Sequence, residues 1–392
     1  MEILFISHKY PPTIGGMQKQ SFELIRQAKK AHTVYQLVFT GIEESIVSFF
    51  FYLKKRVKKI LKAHPSIDII HLNDGLMGLF SLWLKSYTNI PVVLTFHGLD
   101  LVYPNALYQR KIRQQYIHYD GLICVSAATA AECIKRGIPK EKVFVVPNGV
   151  DHQLADFENL EPSEIQQLST KYQVDFSKRK VITLLGRPVK RKGFSWFLEQ
   201  VATQLDEDVL VLMIGPLSAA KKASFGSKWI PKKLKDKIEL LTGGVNDEAA
   251  IRILLQQENL KNKVLQTGKL PFSELLSLLR LSDLFVMTNI KMQGDAEGFG
   301  LVALEASLSK TVVLASDLEG IPEAIQDGKN GYLLPSRDTD VWVQTIKEKL
   351  NQPEELATKG SVFQQFTLEN YSWEKMTAGY LAVFEQLLSQ KK

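Results

Sequence analysis

Two glutamates, Glu297 and Glu305, stand eight positions apart in "DAEGFGLVALEA" (residues 295–306), with Gly298 and Gly300 crowded against the first. As continuous helix the segment would separate them by about 12 Å and leave them on one face. The glycines argue instead that a helix begins only near Phe299–Leu301, with Leu301, Leu304 and Leu308 as its buried stripe. Glu297 then lies in a loop ahead of a helix N-terminus and Glu305 one turn inside. Such a start exposes backbone N–H groups and the positive end of the helix dipole, a seat for phosphate. Carboxylates beside an anion seat are suited to accepting hydrogen bonds from hydroxyls. The ligand implied is a hydroxyl-bearing ring, phosphate and a second hydroxyl-bearing ring, which describes a nucleotide-diphosphate sugar. Taken alone, the same spacing also suits surface glutamates on an amphipathic helix.

Three further stretches bear on that choice. "LLGRPVKRKGF" (184–194) places Arg187 and Lys192 in the loop after a strand, with Gly186 and Gly193 for close backbone approach. Ligands of open α/β sheets sit at the carboxyl ends of strands, so these cations are expected to point into the crevice and hold a diphosphate. "YPPTIGGMQKQSFELI" (10–25) follows the first strand with a proline turn, the pair Gly15–Gly16 and a helix. It is neither G-x-G-x-x-G nor a Walker loop, so neither a nicotinamide cofactor nor ATP is indicated. "LTFHGLDL" (94–101) sets His97 at the end of another strand, where a histidine can meet a reacting sugar or phosphate oxygen. The "DTD" at Asp338–Asp340 opens a helical pattern and reads as an N-cap rather than a metal site.

The elements that must position these residues are short apolar runs alternating with helical patterns. "EILFI", "VYQLVF", "DIIHL", "PVVLTF", "GLICV" and "VFVV" come first, then "KVITLL", "VLVLMI", "KVLQ", "LFVM" and "TVVLA". Continuous apolar runs mark parallel strands buried on both faces, and two successive doubly wound sheets are the economical reading. The break falls in the polar stretch 152–179. At the other end, Met376, Tyr380, Phe384 and Leu387 form one helical stripe that implies a closing helix packed onto another element. Residues 217–237, basic and weakly periodic, read as a loop with one short helix.

At 392 residues the chain is long enough for two cores, and 45% hydrophobic with 23% charged residues is the balance of a folded protein. Cys124 and Cys133 make neither a disulfide framework nor a four-ligand zinc site, and read as reduced thiols. The apolar runs are too short to span a bilayer, and "EILFIS" after Met1 reads as a strand rather than a signal peptide. The net charge of +7 is concentrated in "SIVSFFFYLKKRVKKILK" (45–62), where Lys54, Lys55, Arg56, Lys58, Lys59 and Lys62 follow three phenylalanines with no acidic residue among them. Such a helix can lie on anionic lipid, or simply solvate a lysine face. Nucleic acid is the least favoured partner.

Together these motifs resemble the retaining nucleotide-sugar glycosyltransferases of family 4, the group 1 transferases of GT-B fold. The resemblance runs through "PPTIGG", "IDIIHLND", "TFHGLD", "VSAATA", "VPNGVD", "GRPVKRKG", "TGKL", "EGFGLVALEA" and "GIPEAIQDGKNGYLL", and closes on "YSWEKMTAGYLAVFEQLL". It implies two Rossmann-like doubly wound domains facing across a cleft: residues 1–165 on the acceptor side, 175–368 for the donor, and a helix over 369–392 crossing back to the first domain. Arg187 and Lys192 would hold the donor diphosphate and stabilise the leaving group, and Glu305 would bond the ribose. Glu297 would contact hydroxyls of the transferred sugar, with Gly298, Phe299, Gly300 and Leu301 lining donor and phosphates. Gly16 would approach the diphosphate from the first domain, His97 would sit by the reacting sugar, and the backbone at Lys269 and Leu270 would meet the base.

The resemblance further implies a UDP- or GDP-sugar donor, no metal and no other cofactor. The acceptor would be a hydroxyl of a saccharide or lipid-linked molecule, in surface glycan, glycolipid or lipid-linked saccharide synthesis. That acceptor hydroxyl would attack from the face the leaving group vacates, with the phosphate taking the proton and no protein nucleophile. The site of action would be the cytoplasm or the inner face of the cytoplasmic membrane. The sequence departs from the family pattern at "SLSKTVVLA" and after "VLMIGP", where a second turn glycine is missing. An epimerase of similar fold and a non-catalytic nucleotide-sugar binder are the alternatives, which donor turnover without acceptor, or binding without product, would reveal.

Overall fold

Each of those apolar runs forms a strand in the computed structural model, which describes residues 1–156, 160–216 and 244–390. Two compact units divide the chain: Met1–Val150 with Tyr371–Lys392, and Asp151–Asn370. The basic stretch 217–237 lies outside the described residues.

In the first unit β1 (Glu2–Ser7), β2 (Thr33–Val38), β3 (Ile69–Leu72), β4 (Val92–Phe96), β5 (Gly121–Cys124) and β6 (Val143–Val145) form a sheet of order β2-β1-β3-β4-β5-β6. All its pairings are parallel. Successive strands run outward from β1 to β2, then return to β3 on its other side, so the order reverses between β1 and β3. β3, β4 and β5 are fully buried, as continuous apolar runs require.

The helix Trp373–Ser389 buries Met376, Tyr380, Phe384 and Leu387 and packs on the helix Gly16–Ala28 and on β5. Its tyrosine is wired in: Gln20 Nε2 and Thr95 Oγ1 donate to the Tyr380 hydroxyl at 3.1 and 3.2 Å. Gly149 lies against the carbonyl of Ser372 so closely that a Cβ there would overlap it.

The second unit holds β7 (Lys180–Leu185), β8 (Val209–Ile214), β9 (Val264–Gly268), β10 (Leu284–Met287), β11 (Val312–Asp317) and β12 (Tyr332–Pro335). Their order is β12-β11-β10-β7-β8-β9, again parallel throughout, with the reversal between β7 and β10. β12 comes from "YLLP", a run too short and too mixed to stand out. The expected boundary at residues 165–175 is corrected to Val150. The helix Pro162–Tyr172 and the turn after it pack Leu168 and Phe176 with Val181, Leu210, Leu212 and Leu278, which commits this polar stretch to the second core. The closing segment starts at Tyr371 rather than 369.

The basic segment is a helix, Ile46–Ala63, capped by Ser45, whose side chain accepts from Ser48 N–H. Phe49, Leu53, Val57 and Leu61 face inward at helical spacing. One of its six cations is already spoken for: Arg56 pairs through both terminal nitrogens with Glu44, one residue ahead of the acid-free stretch 45–62.

Candidate active site

Both reversals of strand order create a crevice at the carboxyl ends of two strands whose following loops turn opposite ways. In the second unit those loops carry the sequence's chemistry. After β7 the chain passes Gly186 and Arg187 into a tight turn, Lys190–Lys192, ended by Gly193 with φ of 69°. After β10 it runs through Asn289 to Glu297 and enters the helix Leu301–Leu308. The two loops are clamped together: Ile290 N–H donates to Arg191 O at 2.9 Å, and Thr288 Oγ1 to Lys192 O at 2.9 Å. Gly193 is required there, because a Cβ would overlap the Thr288 carbonyl.

The helix begins where the glycines place it. Gly300, at φ of 100°, precedes its first residue and offers no side-chain cap, and the first turn holds no acid. The positive end of the dipole is therefore not neutralised by its own sequence. Leu304 and Leu308 are buried, whereas Leu301 is only half-buried; Ala303 and Ala306 pack with Phe285, Met287 and Val313, and Ser307 Oγ lies 2.8 Å from Thr367 Oγ1 of the helix Pro353–Asn370. Glu305 is half-buried, one turn in.

Glu297 sits at the centre of a charge cluster. Arg191 Nη1, Lys192 Nζ at 2.9 Å and Asn289 Nδ2 at 3.2 Å all donate to its Oε2. Among the described residues its other oxygen, Oε1, takes no hydrogen bond, so the carboxylate is anchored on one side and open on the other. Burial would raise its pKa, but Arg191 and Lys192 hold it well below the usual carboxylate range. Arg191 is only 8% exposed and also donates through Nε to Asp295 Oδ1 at 3.1 Å. Its own pKa is raised, as Glu297 and Asp295 outweigh burial. Burial lowers the Lys192 pKa, Glu297 opposes, and Arg191 and Arg187 add repulsion. Burial raises the Asp295 carboxyl against the pull of Arg191, with repulsion from Glu297 adding to the rise.

Glu319, from the loop after β11, accepts from Glu297 N–H at 2.6 Å, and Gly320 N–H donates to Glu297 O at 3.1 Å.

The structure thus brings Lys192 and Glu297 into direct contact, with Gly298, Phe299 and Gly300 buried beside them. Arg187 is exposed instead, within electrostatic reach of Arg191, Asp295 and Glu297. Lys269 is exposed and Leu270 half-buried after β9, at the far edge of the sheet with β8 between them and β7. They stand apart from the cluster. Asp338 caps the helix Thr339–Leu350, accepting from Val341 N–H at 3.2 Å.

Gly16 and His97 belong to the first unit. Gly16 opens its helix behind the uncapped Gly15, again with no acid in the first turn. His97 is tied down: its Nε2 lies 2.8 Å from Asn73 O, and its N–H donates to Asp100 Oδ1 at 2.8 Å. Asp100 also accepts from Gly75 N–H, which joins the loops after β3 and β4. At the reversal itself, His8 Nδ1 lies 2.8 Å from Asp74 Oδ2, both buried, and Asp74 caps the following helix through Met77 N–H.

Sequence reasoning passed over Arg191, Asp295, Asn289, Glu319 and the His8–Asp74 pair. Arg191 stands between Arg187 and Lys192 in the loop after β7, and Asp295 two places before Glu297; in each case the signal was a charged residue close in sequence to a candidate one. Glu319 carried none beyond its place in a turn.

Two doubly wound units, the second with a cation-anchored carboxylate beside an uncapped helix start at its switch point, define a two-domain α/β protein of the GT-B type. Residues 14–154 match Glycosyltransferase Family 4 and residues 169–360 match Glycosyl transferases group 1. The chain belongs to this glycosyltransferase family.

An uncharacterized glycosyltransferase of Methanocaldococcus jannaschii is 25% identical over 99% of both chains. The GDP-mannose-dependent alpha-(1-6)-phosphatidylinositol monomannoside mannosyltransferase of Mycolicibacterium smegmatis is 22% identical, with 95% of each chain covered. The fold is shared with Anabaena HepE, crystallised with UDP, at a TM-score of 0.72 and 19% identity over 98% of this chain and 100% of that one.

Proposed function

We propose that the chain is a retaining glycosyltransferase that moves a sugar from a UDP- or GDP-sugar to a hydroxyl of a saccharide or lipid-linked acceptor, without a metal. The observation that carries this is Glu297, ionised and fixed through Oε2 with Oε1 open beside the start of the Leu301–Leu308 helix. An anion at the helix start and a sugar hydroxyl on Oε1 satisfy both halves of one ligand. As the bond to phosphate breaks, charge grows on the diphosphate, and Lys192, Arg187 and the helix N–H groups are the groups suited to stabilise it. Glu297 stays ionised across the physiological range, so it serves as hydrogen-bond acceptor and charge partner of the developing oxocarbenium, not as a general acid. Attack from the vacated face, with the leaving phosphate accepting the proton, needs no protein nucleophile.

The names of relatives support the donor and acceptor classes: one uses GDP-mannose on a phosphatidylinositol mannoside, and the HepE crystal contains UDP. A membrane-held acceptor also suits the helix Ile46–Ala63, whose outer face presents Val47 and Phe51 at 75% and 78% exposure ahead of five lysines that Glu44 does not engage. Lys58 Nζ lies 4.3 Å from the Tyr87 ring centroid, and Lys54 and Lys58 both lie over Trp83, which places aromatic and cationic groups side by side as lipid headgroups favour. No helix among the described residues is long and apolar enough to cross a membrane; the contact proposed here is peripheral, through the helix Ile46–Ala63.

A thermal-shift screen against UDP, GDP, UDP-glucose and GDP-mannose tests the reading, since a ligand of the folded state raises its melting point. A shift with one base and its sugar, undiminished by EDTA, is expected. No shift with any of them refutes it.

A further inference from the structure

We propose that Glu319 is a positioning residue for donor recognition: it braces the backbone of Glu297, so that discrimination of a nucleotide sugar from the bare nucleoside diphosphate depends on its carboxylate. This rests on the proposed donor site. Glu319 has φ of 54°, in the left-handed region where glycine is unstrained and a side chain is not. A turn alone would be better served by glycine. What the side chain adds is a 2.6 Å hydrogen bond from Glu297 N–H, answered by Gly320 N–H on Glu297 O at 3.1 Å. Glu297 is thus held through both polar atoms of its own backbone from the loop after β11, while Arg191, Lys192 and Asn289 hold its side chain from the loops after β7 and β10.

Three loops converge on one residue, and of their contacts only those from the β11 loop fix its main chain. Behind them, the fully buried Ile321 keeps that loop in place. Without the carboxylate, Oε2 would remain paired, but the peptide leading into Gly298–Gly300 could rotate and carry Oε1 off its line. Groups that meet diphosphate would be disturbed less than the oxygen that meets the sugar.

Glu319 faces Glu297 and Asp295 from the loop after β10 and Arg191 from the loop after β7. Burial, with repulsion from the two carboxylates, pushes its pKa up to about 7, against the opposing pull of the Glu297 N–H and Arg191. The brace therefore changes charge near neutrality.

E319G and E319Q test the assignment by calorimetry with UDP, GDP, UDP-glucose and GDP-mannose at pH 6 and pH 8, together with thermal unfolding. E319G, relieved of the strained backbone, should melt at or above the wild-type temperature and bind the nucleoside diphosphate within about twofold of wild type. Its affinity for the corresponding sugar nucleotide should fall about tenfold, the scale of one charge-assisted hydrogen bond. E319Q, which copies the neutral acid, should lose the difference in sugar-nucleotide affinity that wild type shows between the two pH values. Wild-type affinity for both ligands in E319G overturns the assignment, as does an equal loss for both with a lowered melting point. Wild-type protein that binds none of the four overturns the donor-site reading, and this one with it.

Discussion

Arg191→Met is the most searching perturbation of the site. It keeps the bulk of a side chain 9% exposed and removes both hydrogen bonds, to Asp295 and to Glu297. Removing one partner of a buried ion pair costs about 3–5 kcal/mol, because the other charge is left buried. Lys192 and Asn289 still serve Glu297, so about 3 kcal/mol, the lower end, applies. In a unit the size of Asp151–Asn370 each kcal/mol moves the midpoint by about 2–4 °C, which puts the loss at roughly 6–12 °C.

The pH dependence has a definite sign. In wild type the Glu297 carboxyl titrates below its unfolded value, so its contribution persists into acid. In the variant, Asp295, already raised by burial in wild type, loses the pull of Arg191 and rises further, while Glu297, still paired with Lys192, is held down less. The penalty is then full at pH 7.5 and shrinks as pH falls toward the raised Asp295 pKa. Calorimetric melts at pH 7.5 and pH 5 read this directly. A midpoint within about 2 °C of wild type at pH 7.5, or a deficit that does not narrow at pH 5, refutes the reasoning.

Lys192→Ala or Arg187→Ala should lower turnover of the nucleotide sugar roughly 100-fold, the scale of removing one oxyanion donor; steady-state rates within about threefold of wild type take that residue out of the mechanism. Replacing Lys54, Lys55, Lys58, Lys59 and Lys62 with glutamine should weaken co-sedimentation with phosphatidylserine vesicles by at least about 100-fold, at about 1 kcal/mol per lysine, while Arg56→Gln, already paired with Glu44, should change it little. Unchanged co-sedimentation removes the membrane role. Gly149→Ala, whose new methyl would overlap the Ser372 carbonyl, should lower stability by about 1–3 kcal/mol in denaturant titration, and a neutral effect would mean that the closing segment is not held against that turn.

The strands were legible because a parallel strand covered on both faces must be largely apolar: "VLVLMI" is so throughout, and "DIIHL" and "PVVLTF" are so apart from Asp68, His71 and Thr95. "YLLP" was not, being four residues long with a half-buried start. The boundary was misplaced for a related reason. The polar exterior of the helix Pro162–Tyr172 dominates its composition, and only Leu168, with the partly buried Ile165 and Tyr172, ties it to the second core. In the site, Glu297, Lys192 and the helix start announced themselves through glycine spacing. Arg191 did not: in a three-residue turn nothing periodic says which of Lys190, Arg191 and Lys192 points inward.

By itself the sequence determined where eleven of the twelve described strands run, where the helix after Gly300 begins and which loops carry charge, because these follow from hydrophobic period, glycine and capping chemistry within a dozen neighbouring residues. Only the tertiary structure decided which charges meet. Arg191 reaches Glu297 across 106 positions, and Glu319 reaches it across 22, because the sheet order sets the carboxyl ends of β7, β10 and β11 side by side. That order expresses the packing of whole sheets against whole helices, which no local stretch of residues encodes.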